Sequence, residues 1–497
     1  MGMGTVMDTR KNVSAHISFN KKEKEEILED YRLAYRSRQV SLVGRREVLS
    51  GKAKFGIFGD GKEVVQVAMA RVTQPGDWRS GYYRDQTLIF ATGEATIQQF
   101  FAQLYAHAEV EADPATAGRA MNAHFATRSL DSDGSWKDLL VIRNSSADVS
   151  PTASQMPRLV GLAYASRLYR ELDELKQFSQ FSHNGDEVAF GTIGNASCAE
   201  GMFWEAVNAI GVLKSPAILT IYDDGYGISV TNEFEMVKGD LSELLKGFQR
   251  QTGTKTGYDL YHVKGWDYPA LVEVYRKAAE IARRDHVPAI LHATELTQPL
   301  GHSTSGSQER YKSPERLHWE QKNDCLKKFR QWIIDQEIAA PQSLDEMEGL
   351  DRQTVEEARK RAWEEYLAPI QQERQHAAGL IDVLKAGSAQ AEQLAQVSSK
   401  LLGFPAPLRR DIMTAVREAL LLVKDEATPA RQALAQWKRA QVALNETRYD
   451  SHLYSQSEQS ALQIPVIPAA YSDQSPLLYG FEVVNACFDA ALGRDPR

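Results

Sequence analysis

Short, nearly unbroken apolar runs alternate with stretches of helical periodicity through the middle of the chain. Val188, Ala189, Phe190 and Ile193 form one such run, of the kind buried on both faces in a parallel sheet. Small residues follow, Gly194-Asn195-Ala196-Ser197. Phe203, Val207 and Ile210 then repeat at helical spacing, so Glu200 to Val212 reads as a crossover helix. Pro216 punctuates it, and Ala217 to Tyr222 is the next buried strand. Farther on, Tyr258 to Val263 reads as a strand, Tyr268 to Arg284 as a helix and Ala289 to Ala293 as a strand. The alternation predicts an α/β protein with a doubly wound, mainly parallel sheet.

The flanking pattern is helical. A polar tail covers 1–22, and Ile27, Tyr31, Ala34 and Tyr35 mark one face of a charged helix beginning near Lys22. Gly59-Asp60-Gly61 reads as a structural turn opening a helix from Lys62 to Val72, and Leu159 to Leu172 as a core helix. From Ser313 to about Gln375 the chain is charged and helical, closing a principal domain over 23–375. Residues 376–476 read as a helical connector: Leu380, Val383 and Leu384 mark one helix, and Ile412, Val416, Leu420 and Leu421 another. The turn-rich stretch 472–476 is a linker. Over 477–497 lies an amphipathic helix, Gly480 to Leu492, with Phe481, Val484, Phe488 and Ala491 on one face.

Composition narrows the class. The 497 residues are 43% hydrophobic and 25% charged, as in a soluble globular protein of more than one domain. A net charge of −8 gives no general footprint for nucleic acid or an anionic membrane. Cys198, Cys325 and Cys487 are too scattered for a disulfide framework or metal pattern, which fits a reducing cytoplasm. No apolar run approaches a membrane span.

Candidate chemistry gathers where strands end, the edge at which open α/β sheets bind ligands. Asn195 and Asp224 close successive strands. A side-chain amide oxygen, a carboxylate and a backbone carbonyl such as that of Tyr226 suit a hard cation like magnesium, with positions left for phosphate oxygens. The small-residue turn before the helix offers a second handle on phosphate.

These residues resemble a known family. G-N-A-S-C-A-E-G (194–201) and D-D-G-Y-G-I-S (223–229) match, in register, the thiamine-diphosphate motif of 2-oxo acid dehydrogenase first-component α subunits, G-D-G-A-x-x-E-G then N-N-x-Y-A-I-S. The family's ligand Asp is Asn195 here and its ligand Asn is Asp224, a reciprocal exchange that keeps one carboxylate and one carboxamide. The resemblance implies metal ligation by Asn195, Asp224 and Tyr226, with Asn195, Ala196 and Ser197 at the cofactor. Tyr82-Tyr83-Arg84-Asp85 resembles the family's Y-R-D segment, which places Tyr83 and Arg84 at the cofactor, with Arg84 on its diphosphate. Ser150-Pro151-Thr152-Ala153-Ser154-Gln155 is similar to S-P-L-A-T-Q. That match implies aminopyrimidine binding by backbone groups of Ser150 and Thr152, and a monovalent ion among Ser150, Ser154 and Gln155.

Gly118 to Phe125 resembles G-R-x-x-P-x-H-[YF], with His124 either a satisfied core histidine or an active-site contact. Gly301-His302-Ser303-Thr304-Ser305 resembles G-H-S-x-S, whose His reaches the diphosphate and reacting centre; His302 is the catalytic candidate. Ser303 is the position phosphorylated in some relatives. Tyr222 stands where relatives commonly carry an Arg.

The implied activity is oxidative decarboxylation of a 2-oxo acid, with branched-chain substrates favoured and pyruvate and 2-oxoglutarate left open, and acyl transfer to a lipoyl group. The implied cofactors are thiamine diphosphate and magnesium. The implied partners are a β portion, in an α2β2-type assembly, and a lipoyl-bearing acyltransferase. The 477–497 helix resembles the opening of a β subunit, as in bacterial fused α/β chains. No residue here matches the β-subunit Glu that activates the cofactor, so the chain alone is expected to be catalytically incomplete. Two rivals stay open: another thiamine enzyme of transketolase type, and a non-catalytic structural relative.

Overall fold

The computed structural model describes residues 7–8, 19–251, 253–450, 458 and 460–494, so most of the 1–22 tail lies outside the described residues. The chain divides into two compact units, Met1–Ser451 and His452–Arg497. Among the described residues of the first, nine strands are present: β1 (Met7–Asp8), β2 (Trp78–Ser80), β3 (Asn144–Ser145), β4 (Ala189–Gly194), β5 (Ala217–Tyr222), β6 (Tyr226–Gly227), β7 (Val230–Thr231), β8 (Asp259–Lys264) and β9 (Ala289–Thr294). Seven form one sheet in the order β1-β8-β9-β5-β4-β2-β3, every neighbouring pair parallel. β6 and β7 form a small antiparallel ribbon just past the end of β5.

The central strands alternate strictly between two cores, as two-faced burial requires. Val188, Phe190, Ile218 and Leu291 pack with helices Glu63–Ala70, Tyr268–Asp285 and Cys325–Asp335 on one side. Ala189, Ile193, Leu219, Ile221 and Ile290 pack with Met156–Glu171 and Gly201–Leu213 on the other. The doubly wound sheet expected from the sequence is therefore observed. Register then levels the strand ends: Gly194 lies opposite Tyr222, and Tyr222 opposite Ala293. Whatever follows these three residues emerges at one edge.

Two expectations need adjusting. Helix Pro341–Lys385 runs unbroken through 375, so the boundary placed there falls inside one 45-residue helix. Its last turns pack with Ala391–Leu402, Arg409–Leu422 and Pro429–Asp450 around Ile381, Leu394, Ile412 and Val416. This helical extension belongs to the first unit. In the second unit, helix Gly480–Arg494 forms as expected, with Phe481, Val484 and Phe488 all exposed. Among the described residues no helix is long and apolar enough to cross a membrane.

A buried ion network anchors the Tyr82–Asp85 turn beneath the sheet edge. Arg79, on β2, donates to Asp85 Oδ2 (2.7 Å), Asp148 Oδ2 (2.8 Å) and Ser145 Oγ (2.9 Å). Asp85 Oδ2 also accepts from Thr192 Oγ1 on β4 (2.6 Å). A side chain at Gly81 would collide with this pair, which explains the glycine. Removing one member of a buried pair strands its partner's charge. Arg79→Met should therefore lower unfolding free energy by about 3–5 kcal/mol in urea titrations, whereas an effect below about 1 kcal/mol would show the network to be dispensable.

Candidate functional site

Beyond the levelled ends of β4, β5 and β9 opens a cavity of about 550 Å³. Its wall includes Tyr83, Arg84, Ser150, Thr152, Asn195, Ala196, Ser197, Asp224, Tyr226 and His302, so every residue singled out for cofactor or metal lines one space. Ser154 and Gln155 do not. Gln155 is buried and donates to Thr192 O (2.9 Å), so it supports the sheet.

Arg84 is nearly inaccessible, and its two terminal nitrogens donate to backbone carbonyls of Phe58 (2.6 Å) and His302 (2.9 Å). Among the described residues no carboxylate forms an ion pair with it, though the nearby Asp60 and Asp224 carboxylates feel its charge. His302 shares this positive surrounding. Burial first, then Arg84, pulls its ring pKa down to about 4, against a smaller upward pull from Asp224. The ring is neutral near pH 7 and can accept a proton or hydrogen bond.

His124 resolves as a buried support. Its Nδ1 faces Asn122 O (3.2 Å) and must donate, which leaves Nε2 to accept from Ser150 Oγ (2.9 Å). It stacks on Tyr83 with ring centroids 6.1 Å apart. Two cavity residues are thus fixed by one histidine outside the cavity. Tyr222 lines the wall, with its hydroxyl donating to Asp85 Oδ1 (3.4 Å); it adds no positive charge where relatives place an Arg.

Lys62 supplies one. Lys62 is 2% exposed and donates to Asp224 Oδ2 (2.7 Å), Thr297 O (2.9 Å) and Gln298 Oε1 (2.9 Å). The turn at Gly59-Asp60-Gly61, read from sequence as purely structural, in fact delivers this ammonium into the site. Burial pushes the Asp224 pKa upward, but the Lys62 charge beside it prevails and holds the carboxyl below its ordinary value. Lys312 is a second cation on the wall, paired with Glu320 (2.8 Å). Neither lysine was singled out from sequence. The signal available was a Lys-Glu pair within the largely apolar stretch from Phe55 to Ala70, just after Asp60.

The three metal candidates adjoin one another. The Asn195 amide lies 3.5 Å from Tyr226 O. Turned to let its nitrogen donate to Tyr222 O and its oxygen accept from Ala196 N–H, it presents that oxygen beside the Tyr226 carbonyl. Asp224 Oδ1 accepts from Tyr226 N–H (3.2 Å). Glu235, also on the wall, has a buried Oε2 without a partner, and burial followed by Asp224 raises its pKa. A side chain at Gly227 would fill the space this carboxylate occupies. These oxygens are of the hard type magnesium prefers, but one carboxylate oxygen is already held by an ammonium. Among the described residues no group of three His, Cys, Asp or Glu side chains is placed to hold a metal.

A doubly wound parallel sheet with a cavity at its carboxyl edge, lined by Lys62, Arg84 and Lys312 and by Glu200, Asp224 and Glu235, defines an α/β protein with its ligand space at the strand ends. Residues 38–371, more than half of the chain, match the Dehydrogenase E1 component family, and the chain belongs to that thiamine-diphosphate-dependent family as an α-type component. It is 27% identical to 2-oxoisovalerate dehydrogenase subunit alpha of Bacillus subtilis (strain 168), over 62% of this chain and 83% of that protein. It is 28% identical to the mitochondrial 2-oxoisovalerate dehydrogenase subunit alpha of Caenorhabditis elegans, over 57% of each chain. Pyruvate dehydrogenase E1 component subunit alpha of Acholeplasma laidlawii is 24% identical over 63% of this chain and 76% of its own. The chain thus spans only a little over half the length of the C. elegans relative.

The lowered His302 pKa has a testable sign. An unfolded histidine takes up its proton near pH 6.5, but the folded ring does so only near pH 4. Between those values the unfolded state binds more protons, so stability from this group is complete above about pH 6.5 and falls as pH drops toward 4. His302→Asn should flatten that part of a stability profile measured by urea unfolding from pH 7 to 4. An unchanged slope would assign the loss to other groups.

Proposed function

We propose that this chain is the cofactor-holding α portion of a 2-oxo acid dehydrogenase, acting in oxidative decarboxylation of a branched-chain 2-oxo acid and acyl transfer to a lipoyl group. The observation that carries it is the convergence of Arg84, His302, Lys62 and the Asn195–Ser197 turn on one cavity at the sheet edge. The cations meet a diphosphate, and backbone around Ser150 and Thr152, steadied by His124, meets the other end of the cofactor. Thiamine diphosphate supplies the electron sink for carbon dioxide loss when bound. His302, neutral and held beside Arg84, accepts or relays a proton at the wall. A magnesium ion entering with the diphosphate would find Asp224 Oδ1, the Asn195 oxygen and the Tyr226 carbonyl as ligands.

The activating carboxylate comes in this reading from a β partner, and a lipoyl-bearing acyltransferase takes the product. The branched-chain preference rests on the G-H-S-T-S loop and on the 2-oxoisovalerate relatives; pyruvate is the alternative substrate.

Calorimetric titration of thiamine diphosphate into the chain, with and without a β subunit of this family, tests the site. Saturable binding that Arg84→Met weakens is the expected result, accompanied by carbon dioxide release from branched-chain 2-oxo acids once β is present. No binding in the assembled state would overturn the reading.

A further inference from the structure

Lys62 poses an electrostatic question. A carboxylate facing an incoming diphosphate repels it unless a cation stands between them, and in a low-dielectric cavity that repulsion is severe. Asp224 is such a carboxylate. Its Oδ2 is already matched by the Lys62 ammonium at 2.7 Å, which also reaches Thr297 O and Gln298 Oε1 at 2.9 Å each. All three ammonium donors are used on oxygens, the way a small hard cation would be satisfied.

The lysine is held there by a second layer. Glu63 accepts from Gly61 N–H (2.8 Å), and its carboxylate pairs with Arg38 Nε (2.6 Å), which in turn reaches Asp324 (2.6 Å). Arg38, Glu63 and Asp324 are all buried. A chance surface lysine has no such scaffold. Tyr222, meanwhile, contributes no positive charge from β5, so the positive side of the wall depends on Lys62, Arg84 and Lys312, with Arg316 close behind. Lys312 and Arg316 both pair with Glu320 (2.8 Å each), and Arg316 also donates to Asp224 O (2.6 Å). That leaves Lys62 as the charge placed directly on the carboxylate.

We propose that Lys62 is the resident cation of this site, matching the Asp224 charge at Oδ2, so that the cofactor diphosphate binds without requiring added metal. This rests on the cofactor reading above. Magnesium is accommodated at Asp224 Oδ1 but is not the charge that admits the ligand.

The test is titration of thiamine diphosphate into the full chain, with its β partner present, in excess chelator and in magnesium. Wild type, Lys62→Met and Lys62→Arg are compared, with thermal unfolding as the folding control. Wild type should lose less than about tenfold in affinity when magnesium is removed. Lys62→Met should lose about 30-fold or more in chelator, the cost of stranding a buried charge, and magnesium should restore most of it. Lys62→Arg should stay near wild type. Wild-type binding that vanishes in chelator, or Lys62→Met binding in chelator as tightly as wild type, would overturn the inference while leaving the cofactor reading intact. Wild type that binds under neither condition overturns both. Should Lys62→Met unfold early, the wild-type metal dependence and the Lys62→Arg titration decide alone.

Discussion

An ammonium group sealed from water must be matched by oxygens or give up its charge, and that constraint organises the site. Lys62 meets it by gathering two segments: Asp224 after β5, and Thr297 and Gln298 after β9. The same contacts fix the approach of the loop that carries His302. Gln298 Nε2 donates onward to Gly301 O (2.9 Å), and the His302 carbonyl is caught by Arg84. A cation delivered from outside the sheet thus ties together the loops that leave its central strands.

Those loops meet because of the sheet's register. Parallel strands buried on both faces end where side chains can no longer alternate between two cores, and polar residues then take over. With Gly194, Tyr222 and Ala293 level, Asn195, Asp223 and Thr294 begin at one height. Asp223 is pinned by His292 Nε2 (2.9 Å), which leaves Asp224 to turn toward the cavity. Neighbouring carboxylates therefore take different jobs, one bracing β9 and the other facing the ligand space.

Much of this could be read from the chain. The apolar runs at 188–193 and 217–222 and the helical repeats around Phe203 and Tyr268 correspond to observed elements, because burial on both faces leaves an unambiguous pattern. The cavity residues Tyr83, Arg84, Asn195, Asp224 and His302 were legible through short motifs at strand ends. Three features were not. Lys62 was hidden because a lysine opening a helix ordinarily points to solvent, and only the fold folds it inward. Glu235 escaped because it sits on a four-residue helix with no periodicity, placed by the β6–β7 ribbon. The joint at 375 misled because charge on the exposed face of helix Pro341–Lys385 changes along its length while its backbone does not break.

Lys62 also accounts for the departure at positions 195 and 224 from the motif the chain resembles. A carboxylate at 195 would face the Tyr222 carbonyl, to which the turned amide donates its nitrogen (3.1 Å) while its oxygen accepts from Ala196 N–H. At 224 the carboxylate meets Lys62 directly. The amide suits the position that must be stable as a neutral donor and acceptor, and the charge belongs where the protein has its own counter-charge. On this argument the reciprocal exchange is not drift around a lost site but a consequence of where the lysine reaches.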